Sequence, residues 1–219
     1  MFTGLIETTG AILSIEQRGS AVSLGIKPAL QKFTAEAGAS VAVDGACLTV
    51  EYLSKGVLSF TAVHETLSRT TLSRARPGMR VNLERPLSAA ARFDGHIVLG
   101  HIDGVGTIIG DRHEAAAGLM RTIEVPTACL RFMAEKGSIA IDGISLTIAR
   151  AEGTAITVAL IPRTLETTTM GKKGVGEKVN IECDVIARYL DRLLFTEKDE
   201  GTPSSLGSSL LTKLERSGF

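Results

Sequence analysis

Two segments of the sequence place hydroxyl or thiol side chains at alternate positions, where they could transfer protons or hydrogen-bond a polar ring. Cys47 and Thr49 alternate in one segment, and Ser145 and Thr147 alternate in the other. Residues two apart on a strand point to the same face, so each pair would share a surface. Such a surface could line a cleft, although a single strand cysteine is more often a small buried apolar residue.

The segment GHIVLGHID adds two histidines and an aspartate near the middle of the chain. His96 and His101 are five residues apart and would face opposite sides of a strand, which disfavours joint metal binding. His101 and Asp103 share a face, and Gly100 allows a ligand or another backbone to come close. His101 is therefore a candidate ligand-facing residue, with an ordinary surface histidine as the alternative.

Several other polar residues have a simple structural interpretation beside a functional one. Lys136 is typical of a solvated surface lysine, and Asp44 and Asp142 are typical of Asp-Gly turns. The segments HETLSRTT and PRTLETTT could offer free backbone N–H groups to a polar ring edge, or Thr66 and Thr164 could simply be N-caps. The glycine-rich GKKGVGEK lacks the ending of a phosphate-binding loop.

The elements that would position these residues occur twice in the chain. VAVDGACLTV, which starts at Val41, returns 98 residues later as IAIDGISLTI, and VNLE at Val81 returns as VNIE at the same interval. Alternation of apolar residues around Asp-Gly turns predicts β-hairpins. We therefore predict an all-β fold with two tandem homologous six-stranded antiparallel barrels, over residues 1–96 and 97–195. Short helices are expected at LQKFTAEA and HETLSRTTL.

The residues after the second repeat predict a C-terminal helix at about 184–195. Asp184 is a candidate N-cap. An apolar stripe at helical spacing either packs on the helix's own barrel or joins subunits: Ile186, Leu190, Leu193 and Leu194. Residues 196–219 are expected to form a flexible tail with a short helix.

Composition narrows the classes of function and location. The 219 residues are 44% hydrophobic with a formal net charge of zero, so no basic face for nucleic acid is expected. No secretory signal or transmembrane helix is expected either. The three cysteines are odd in number and lack CxxC spacing, so neither a disulfide framework nor a zinc site is expected, and a cytoplasmic location fits.

The chain resembles the lumazine-binding family along both halves, through motifs that occur in the same order and spacing. These are MFTGLIE, DGACLTV, HETL, VNLERPL, GHIVLGHIDG, EKGSIAIDGISLT, LIPRTLETT and VNIECDVIARYL. The resemblance implies two Greek-key barrels and a C-terminal helix that assembles a homotrimer. It implies a transferase reaction without metal or other cofactor, the last step of riboflavin biosynthesis. Two 6,7-dimethyl-8-ribityllumazine molecules exchange a four-carbon unit and give riboflavin and 5-amino-6-(D-ribitylamino)uracil. A lumazine synthase capsid is a further candidate partner.

The resemblance also implies which residues form the site, between the N-terminal barrel of one subunit and the C-terminal barrel of its neighbour. His101 would shuttle a proton, Ser145 with Thr147 would orient or deprotonate one substrate, and Cys47 would lie against the other. The first pocket would be lined by Gly4, Leu5, Ile6, Cys47, Leu48, Thr49, Thr61, Ala62, Val63, His64, Glu65 and Thr66. The second would be lined by Gly100, His101, Ile102, Lys136, Ser145, Leu146, Thr147, Ile161, Pro162, Arg163, Thr164, Leu165 and Glu166. Phe2, Asp142 and Asp184 also match positions that the family uses. His64 and Arg163 depart from the family pattern, and are expected to alter affinity without removing a chemical group.

Two rival functions remain at this point, with a purely structural two-barrel protein as a third alternative. The family includes non-catalytic antenna proteins that hold one pteridine or flavin, and these should lack polar groups in one barrel. A flavin-dependent reductase would need a nucleotide-binding domain, for which the sequence has no GxGxxG after a strand. The polar residues present in both repeats favour the enzyme.

Overall fold

Six antiparallel strands close into a barrel in the first half of the chain. The computed structural model describes residues 1–114 and 118–195. The strands are β1 (Thr8–Arg18), β2 (Ala21–Pro28), β3 (Ser40–Val43), β4 (Ala46–Ser54), β5 (Val57–Ala62) and β6 (Arg80–Glu84). They pair around the barrel in the order β1-β2-β5-β4-β3-β6. Closure leaves no exposed sheet edge, as expected for strands this short.

The second half repeats this barrel with the same topology. Its strands are β7 (Gly104–Glu114), β8 (Gly118–Glu124), β9 (Ser138–Ile141), β10 (Ile144–Glu152), β11 (Ala155–Leu160) and β12 (Lys178–Cys183). Their order around the barrel, β7-β8-β11-β10-β9-β12, matches the first barrel strand for strand. The predicted pair of six-stranded Greek-key barrels is confirmed.

The period-two pattern of the sequence sets which side chains enter each barrel. On β4, Leu48 and Val50 are buried in the first core, whereas Cys47 is only partly buried and Thr49 is exposed. Strand β10 repeats this pattern with Leu146 and Ile148 inside. The predicted parity is confirmed, and it places the thiol and hydroxyl side chains on the outer face of each barrel.

Each barrel is completed by a segment that precedes the other barrel in the chain. Phe2 and Val98 exchange two backbone hydrogen bonds, of 2.7 and 3.1 Å, between the barrels. Beyond that bridge, Ile102 enters the core of the first barrel and Ile6 packs against the core of the second. The two barrels are therefore joined by exchanged segments as well as by surface contact.

Within the described residues, three helices accompany the strands: α1 (His64–Arg69), α2 (Pro162–Thr167) and α3 (Val185–Phe195). Short 3₁₀ turns lie at Thr71–Arg74, Thr127–Phe132 and Thr169–Lys172. The prediction of a helix at HETLSRTTL is confirmed, and the prediction at LQKFTAEA is wrong. That segment forms turns because Phe33 is held in the barrel core, and so short a helix would be marginal by itself.

Two of the predicted N-caps also differ from the structure. Thr66 and Thr164 lie inside α1 and α2, whose N-cap residues are Val63 and Ile161. Thr70 and Thr168 instead cap the following 3₁₀ turns, where their hydroxyls accept the N–H groups of Leu72 and Met170. The threonine clusters therefore stabilise the junction that follows each helix.

Helix α3 leaves the second barrel with most of its apolar stripe exposed, since Leu194 is partly buried whereas Ile186, Leu190 and Leu193 are exposed. Asp184 caps it, since its carboxylate accepts the Ile186 N–H at 2.9 Å. Across its described length, α3 buries none of its side chains, and Leu190 and Leu193 are 52% and 62% exposed. Packing on its own barrel therefore does not account for the apolar stripe. The predicted tail at 196–219 lies outside the described residues.

No helix of residues 1–114 or 118–195 combines the length and apolar character needed to cross a bilayer.

Candidate functional site

An open cleft of about 650 Å³ lies on the outer face of the first barrel, between β4, α1 and α3. Its floor contains Cys47, and its walls contain Thr66 of α1 and His101 of the exchanged segment. Arg188 and Tyr189 of α3 form the far side. The cleft therefore collects residues from both repeats, and it is large enough for an aromatic ligand of small-molecule size.

The contact between Gly100 and Cys47 builds the floor of this cleft. The Cys47 N–H donates to the Gly100 carbonyl at 3.0 Å, and Gly100 has a φ of +82°. A Cβ at Gly100 would lie 2.5 Å from the Cβ of Cys47, so a side chain there cannot be accommodated without movement. Glycine is needed both for the left-handed backbone and for the close approach.

The second barrel has the matching contact, made by the N-terminal segment. The Ser145 N–H donates to the Gly4 carbonyl at 2.8 Å, and Gly4 has a φ of +78°. A Cβ at Gly4 would lie 2.6 Å from the Cβ of Ser145. The thiol of one barrel and the hydroxyl of the other therefore occupy equivalent places, each beside a glycine of the opposite repeat.

This arrangement corrects the grouping that the sequence suggested. Gly4 to Ile6 were expected to line the first pocket, and Gly100 to Ile102 the second, because each segment belongs to that repeat. The structure places the two segments crosswise, since each one closes the barrel of the other repeat. His101 therefore shares a cleft with Cys47, not with Ser145.

Ser145 has a different histidine partner, His96, which the sequence analysis considered only as a metal ligand with His101. Ser145 Oγ and His96 Nδ1 are 2.7 Å apart, and the His96 ring is largely buried. Burial lowers the pKa of His96, and the nearby Asp184 carboxylate opposes this effect. A neutral imidazole can accept the serine proton, so the pair has the form of a base with its hydroxyl partner.

Two buried glutamates hold the exchanged segments in place. Glu84 of β6 accepts the Thr3 and Gly4 N–H groups at 2.7 and 3.0 Å. Glu182 of β12 accepts the Leu99 and Gly100 N–H groups at the same distances, 2.7 and 3.0 Å. Burial raises the pKa of both carboxyls, and the backbone donors counteract it. The repeated VNLE and VNIE motifs carried this signal, because both end in the clamping glutamate.

The Asp-Gly turns of the two repeats face each other at the centre of the molecule. Asn82 donates its side-chain amide to the Asp142 carbonyl at 2.9 Å, and Asn180 donates to the Asp44 carbonyl at 2.8 Å. Each aspartate side chain in turn accepts the backbone N–H of the asparagine in its own barrel, at 2.7 and 2.8 Å. Asp44 and Asp142 are turn residues, as predicted, and they also connect the barrels.

A single lysine makes this central network unequal. Lys173 donates to Asp142 Oδ2 at 2.6 Å, whereas the position 98 residues earlier is Ala75. Burial and the charge of Asp142 raise the pKa of Asp44 to about 7, and Lys173 opposes this shift. The two aspartates therefore have equivalent backbone positions but different electrostatic surroundings.

The other predicted residues differ in how far their side chains are exposed. Thr147 and Thr49 are exposed on the same faces as Ser145 and Cys47. Leu48, Ala62 and Leu146 have their side chains in the barrel cores, so only their backbone can face a ligand. The remaining lining positions of the two helix junctions are exposed or partly buried at the surface: Thr61, Val63, His64, Glu65, Ile161, Pro162, Arg163, Thr164, Leu165 and Glu166.

Lys136 lies in a turn that holds its backbone in place and leaves its side chain exposed. It has a φ of +65°, and its N–H donates to the Ile148 carbonyl at 2.7 Å. Its side chain is exposed, and Gly38 stands at the equivalent turn of the first repeat with a φ of +86°. The structure therefore places Lys136 just before β9, with no resolved contact to Ser145.

Comparison with known proteins connects this geometry to one family. The family model described as lumazine binding domain matches the chain twice, over residues 3–86 and 99–184. The riboflavin synthase of Photobacterium phosphoreum is 39% identical to the chain over 220 aligned positions, covering 100% of this chain and 99% of its own length. The riboflavin synthase of Bacillus subtilis is 37% identical, covering 97% of this chain and 99% of its own.

Solved structures give a consistent result. LumP complexed with riboflavin superposes with a TM-score of 0.75 at 25% identity, over 84% of this chain and 99% of LumP. LumP complexed with 6,7-dimethyl-8-(1'-D-ribityl) lumazine superposes with a TM-score of 0.72 at 26% identity. With two matched domains and full-length relatives of this similarity, the chain belongs to the lumazine-binding family.

Proposed function

We propose that the chain is a riboflavin synthase, a transferase that converts two 6,7-dimethyl-8-ribityllumazine molecules into riboflavin and 5-amino-6-(D-ribitylamino)uracil. Relatives that match it over nearly their whole length are named riboflavin synthase. The observation that carries the proposal is the pair of equivalent glycine contacts, at Cys47 and at Ser145. These contacts put a thiol and a hydroxyl at equivalent places of the two barrels, which supports two similar half-sites with different side chains.

A duplicated site suits a reaction between two identical molecules. The substrates need to be stacked in opposite orientation, and like sites related by approximate two-fold symmetry provide this. Holding both reactants in place replaces a bimolecular encounter by a local reaction, which is a large part of the catalytic effect expected here. The residues that differ between the two sites, Cys47 and Ser145 among them, would then determine which substrate donates the four-carbon unit and which accepts it.

The chemical demand on the protein is modest. The C7 methyl of the donor is acidic because its carbanion delocalises into the pyrimidinedione ring, so the site must offer a proton acceptor and hydrogen bonds to developing charge. His96 with Ser145 is the base and hydroxyl pair that we assign to one substrate. His101, in the cleft of Cys47, would shuttle a proton at the other, and Thr147 would orient the substrate beside Ser145.

The proposed active unit is a homotrimer joined through α3. Its outward apolar side chains need a partner, and Leu190 and Leu193 are more than half exposed in the single chain. In this assembly the first-barrel cleft of one subunit would face the Ser145 site of its neighbour. Without a neighbouring subunit, each cleft would remain open to water.

Location, cofactors and further partners follow from the same proposal. We infer that the protein works in the cytoplasm without metal or redox cofactor, since the reaction only moves carbon between two like molecules. Docking into a lumazine synthase capsid would shorten the path of the substrate.

We also propose that residues 1–96 and 97–195 are two folding units that exchange their leading segments.

The decisive experiment is incubation of the purified protein with 6,7-dimethyl-8-ribityllumazine alone. One mole of riboflavin should form per two moles of substrate consumed, with no metal or nicotinamide added and with a chelator present. Absorbance and chromatography measure both products. Tight one-to-one binding of the lumazine without turnover would overturn the proposal and identify an antenna protein.

A further inference from the structure

Two thiols and a carboxylate meet at the base of α3, apart from the residues assigned to catalysis. Cys129, Cys183 and Asp103 offer sulfur and oxygen atoms that all lie within 4.8 Å of one another. Cys183 ends β12 two residues before α3 begins, and Cys129 lies in the 3₁₀ turn Thr127–Phe132. The positions 98 residues earlier are Gln31 and Arg85, so this thiol pair exists only in the second barrel.

A metal ion is the less favourable occupant of this cluster. Asp103 Oδ2 accepts the Cys183 N–H at 2.8 Å, and Asp103 Oδ1 is paired with the guanidinium of Arg188. A cation that binds Asp103 would have to displace the positively charged guanidinium of Arg188. The cluster also supplies three protein ligands, one fewer than the four of closed structural zinc sites.

The two thiols are instead suited to react with each other. A hydrogen bond from Cys183 lowers the pKa of the Cys129 thiol, while the same contact and burial raise the pKa of Cys183. The thiolate is the nucleophile of thiol chemistry, and the two sulfurs are close enough that whichever is oxidised first can be resolved by the other. Cys183 borders the 650 Å³ cleft, which gives a small oxidant a route to the pair.

We propose that Cys129 and Cys183 form a reversible disulfide when a hydroperoxide reaches them through the cleft. The thiolate of one cysteine attacks the peroxide O–O bond, forms a sulfenic acid and, after proton uptake, releases water or an alcohol. The thiol of the other cysteine then attacks that sulfur, the S–S bond forms, and the sulfenic acid oxygen leaves as water. The peroxide is reduced, and the two thiols are oxidised by two electrons in total. The sulfurs must approach from within 4.8 Å to about 2 Å, which side-chain rotation and a small shift of the turn would allow.

The bond would fix the base of α3 to the neighbouring turn. That turn already contacts the helix, because Arg131 pairs with Asp191 at 2.7 Å and Arg188 lies over the ring of Phe132. A disulfide would add a covalent connection between residues 129 and 183 beside these contacts. The link would therefore act on the helix that we propose for assembly.

Thiol counting in the full chain tests this inference. The three cysteines should titrate as three thiols in denaturant before oxidation, and as one after treatment with one equivalent of hydrogen peroxide. Peptide mapping without reductant should show Cys129 joined to Cys183, and dithiothreitol should restore three thiols. The matched variant Cys47→Ser should fall from two thiols to none, which shows that Cys47 takes no part.

Several results would overturn the proposal. Three thiols that persist after oxidation would do so, as would loss of Cys47 alone or a disulfide that involves Cys47. Zinc that copurifies in a one-to-one ratio and is released by Cys129→Ser would replace it with a metal site. Mapping on the wild-type protein keeps the test informative even where a cysteine variant folds poorly.

Discussion

His96 Nδ1 lies 2.7 Å from Ser145 Oγ, a contact that joins residues 49 positions apart in the chain. His96 is placed by its backbone, since its N–H donates to the Thr3 carbonyl at 3.2 Å. Ser145 is placed by the Gly4 carbonyl, from the same N-terminal segment. The His96–Ser145 pair of the second barrel is therefore positioned by residues that begin the first repeat.

Replacing His96 should slow turnover more than it weakens binding. His96→Ala removes the group that we propose as acceptor of the Ser145 proton, and we expect turnover to fall about 100-fold or more, within the range for a lost general base. Steady-state kinetics and lumazine binding measure the two effects separately. The exposed His113→Ala is the matched control and should leave both unchanged; equal effects of the two substitutions would refute the role of His96.

The pH profile should show that His96 works as a neutral imidazole. Burial lowers its pKa below the ordinary 6.5, so protonation, which abolishes its basicity, needs a lower pH than usual. The turnover rate should hold as the pH falls to 6.5 and decline only below it. Measurement of turnover from pH 5 to 8 tests this, and a half-loss at or above pH 6.5 would contradict the assignment.

A side chain at Gly100 should disrupt the cleft of Cys47. Gly100→Ala faces both the left-handed backbone, which costs about 1–2 kcal/mol, and the 2.5 Å approach to Cys47. Gly19→Ala is the control, because Gly19 has a φ of +64° but open space around it. Urea unfolding should show a lower free energy of unfolding for both variants, because both share the cost of the left-handed backbone. Gly100→Ala should lose more, because it also bears the cost of the contact with Cys47. Equal stability losses would show that the contact is not tight.

The central aspartates should respond differently to removal of their charge. The pKa of Asp44 is raised to about 7 in the folded protein from 3.8, so wild-type stability falls as the pH rises through that window, because the folded state holds the proton longer. Asp44→Asn removes this penalty and keeps an acceptor for the Asn82 N–H. It should therefore gain stability relative to wild type as the pH rises from 4 to 7, by up to a few kcal/mol.

Asp142→Asn is the matched comparison for this prediction. It loses the 2.6 Å ion pair with Lys173 and leaves that largely buried ammonium without its carboxylate partner. The variant should be less stable than wild type at pH 8, where Asp44→Asn is more stable. Urea unfolding at pH 5 and pH 8 measures both variants. Identical pH dependence of the two would show that Lys173 does not separate them.

Charge on the outer face of α3 should separate the proposed subunits. Leu193→Glu places a carboxylate where the side chain is 62% exposed in the single chain, so folding should be unaffected while assembly weakens. Light scattering should show a shift from trimer to monomer, with a parallel loss of riboflavin formation. Leu53→Glu changes a residue that is 42% exposed on β4 and should leave the mass unchanged. A monomeric wild type, or a trimer that survives Leu193→Glu, would refute the interface.

Local sequence patterns predicted the barrels and the outward faces of Cys47 and Ser145. The alternation of apolar residues along a strand is a pattern between near neighbours, and the repeat is a recurrence at a fixed interval. Both can be read from a single sequence. The exchange of segments was not predicted, because the pattern around Gly4 and Gly100 is the same whichever barrel it closes. The pairing of His96 with Ser145 was not predicted either. Strand parity shows how His96 is oriented relative to His101, but it carries no information about a serine 49 residues away.

The exchanged segments resemble a domain-swapped dimer whose two chains have been joined end to end. Each repeat carries the closing segment for the other, so neither half contains a complete wall of its own cleft. A single repeat expressed alone should then recruit a second copy of itself, and Phe2 of each copy would take the place of Val98. On this view the gene fusion preserved an older symmetric pair, and it freed Cys47 and Ser145 to diverge while the shared architecture stayed fixed.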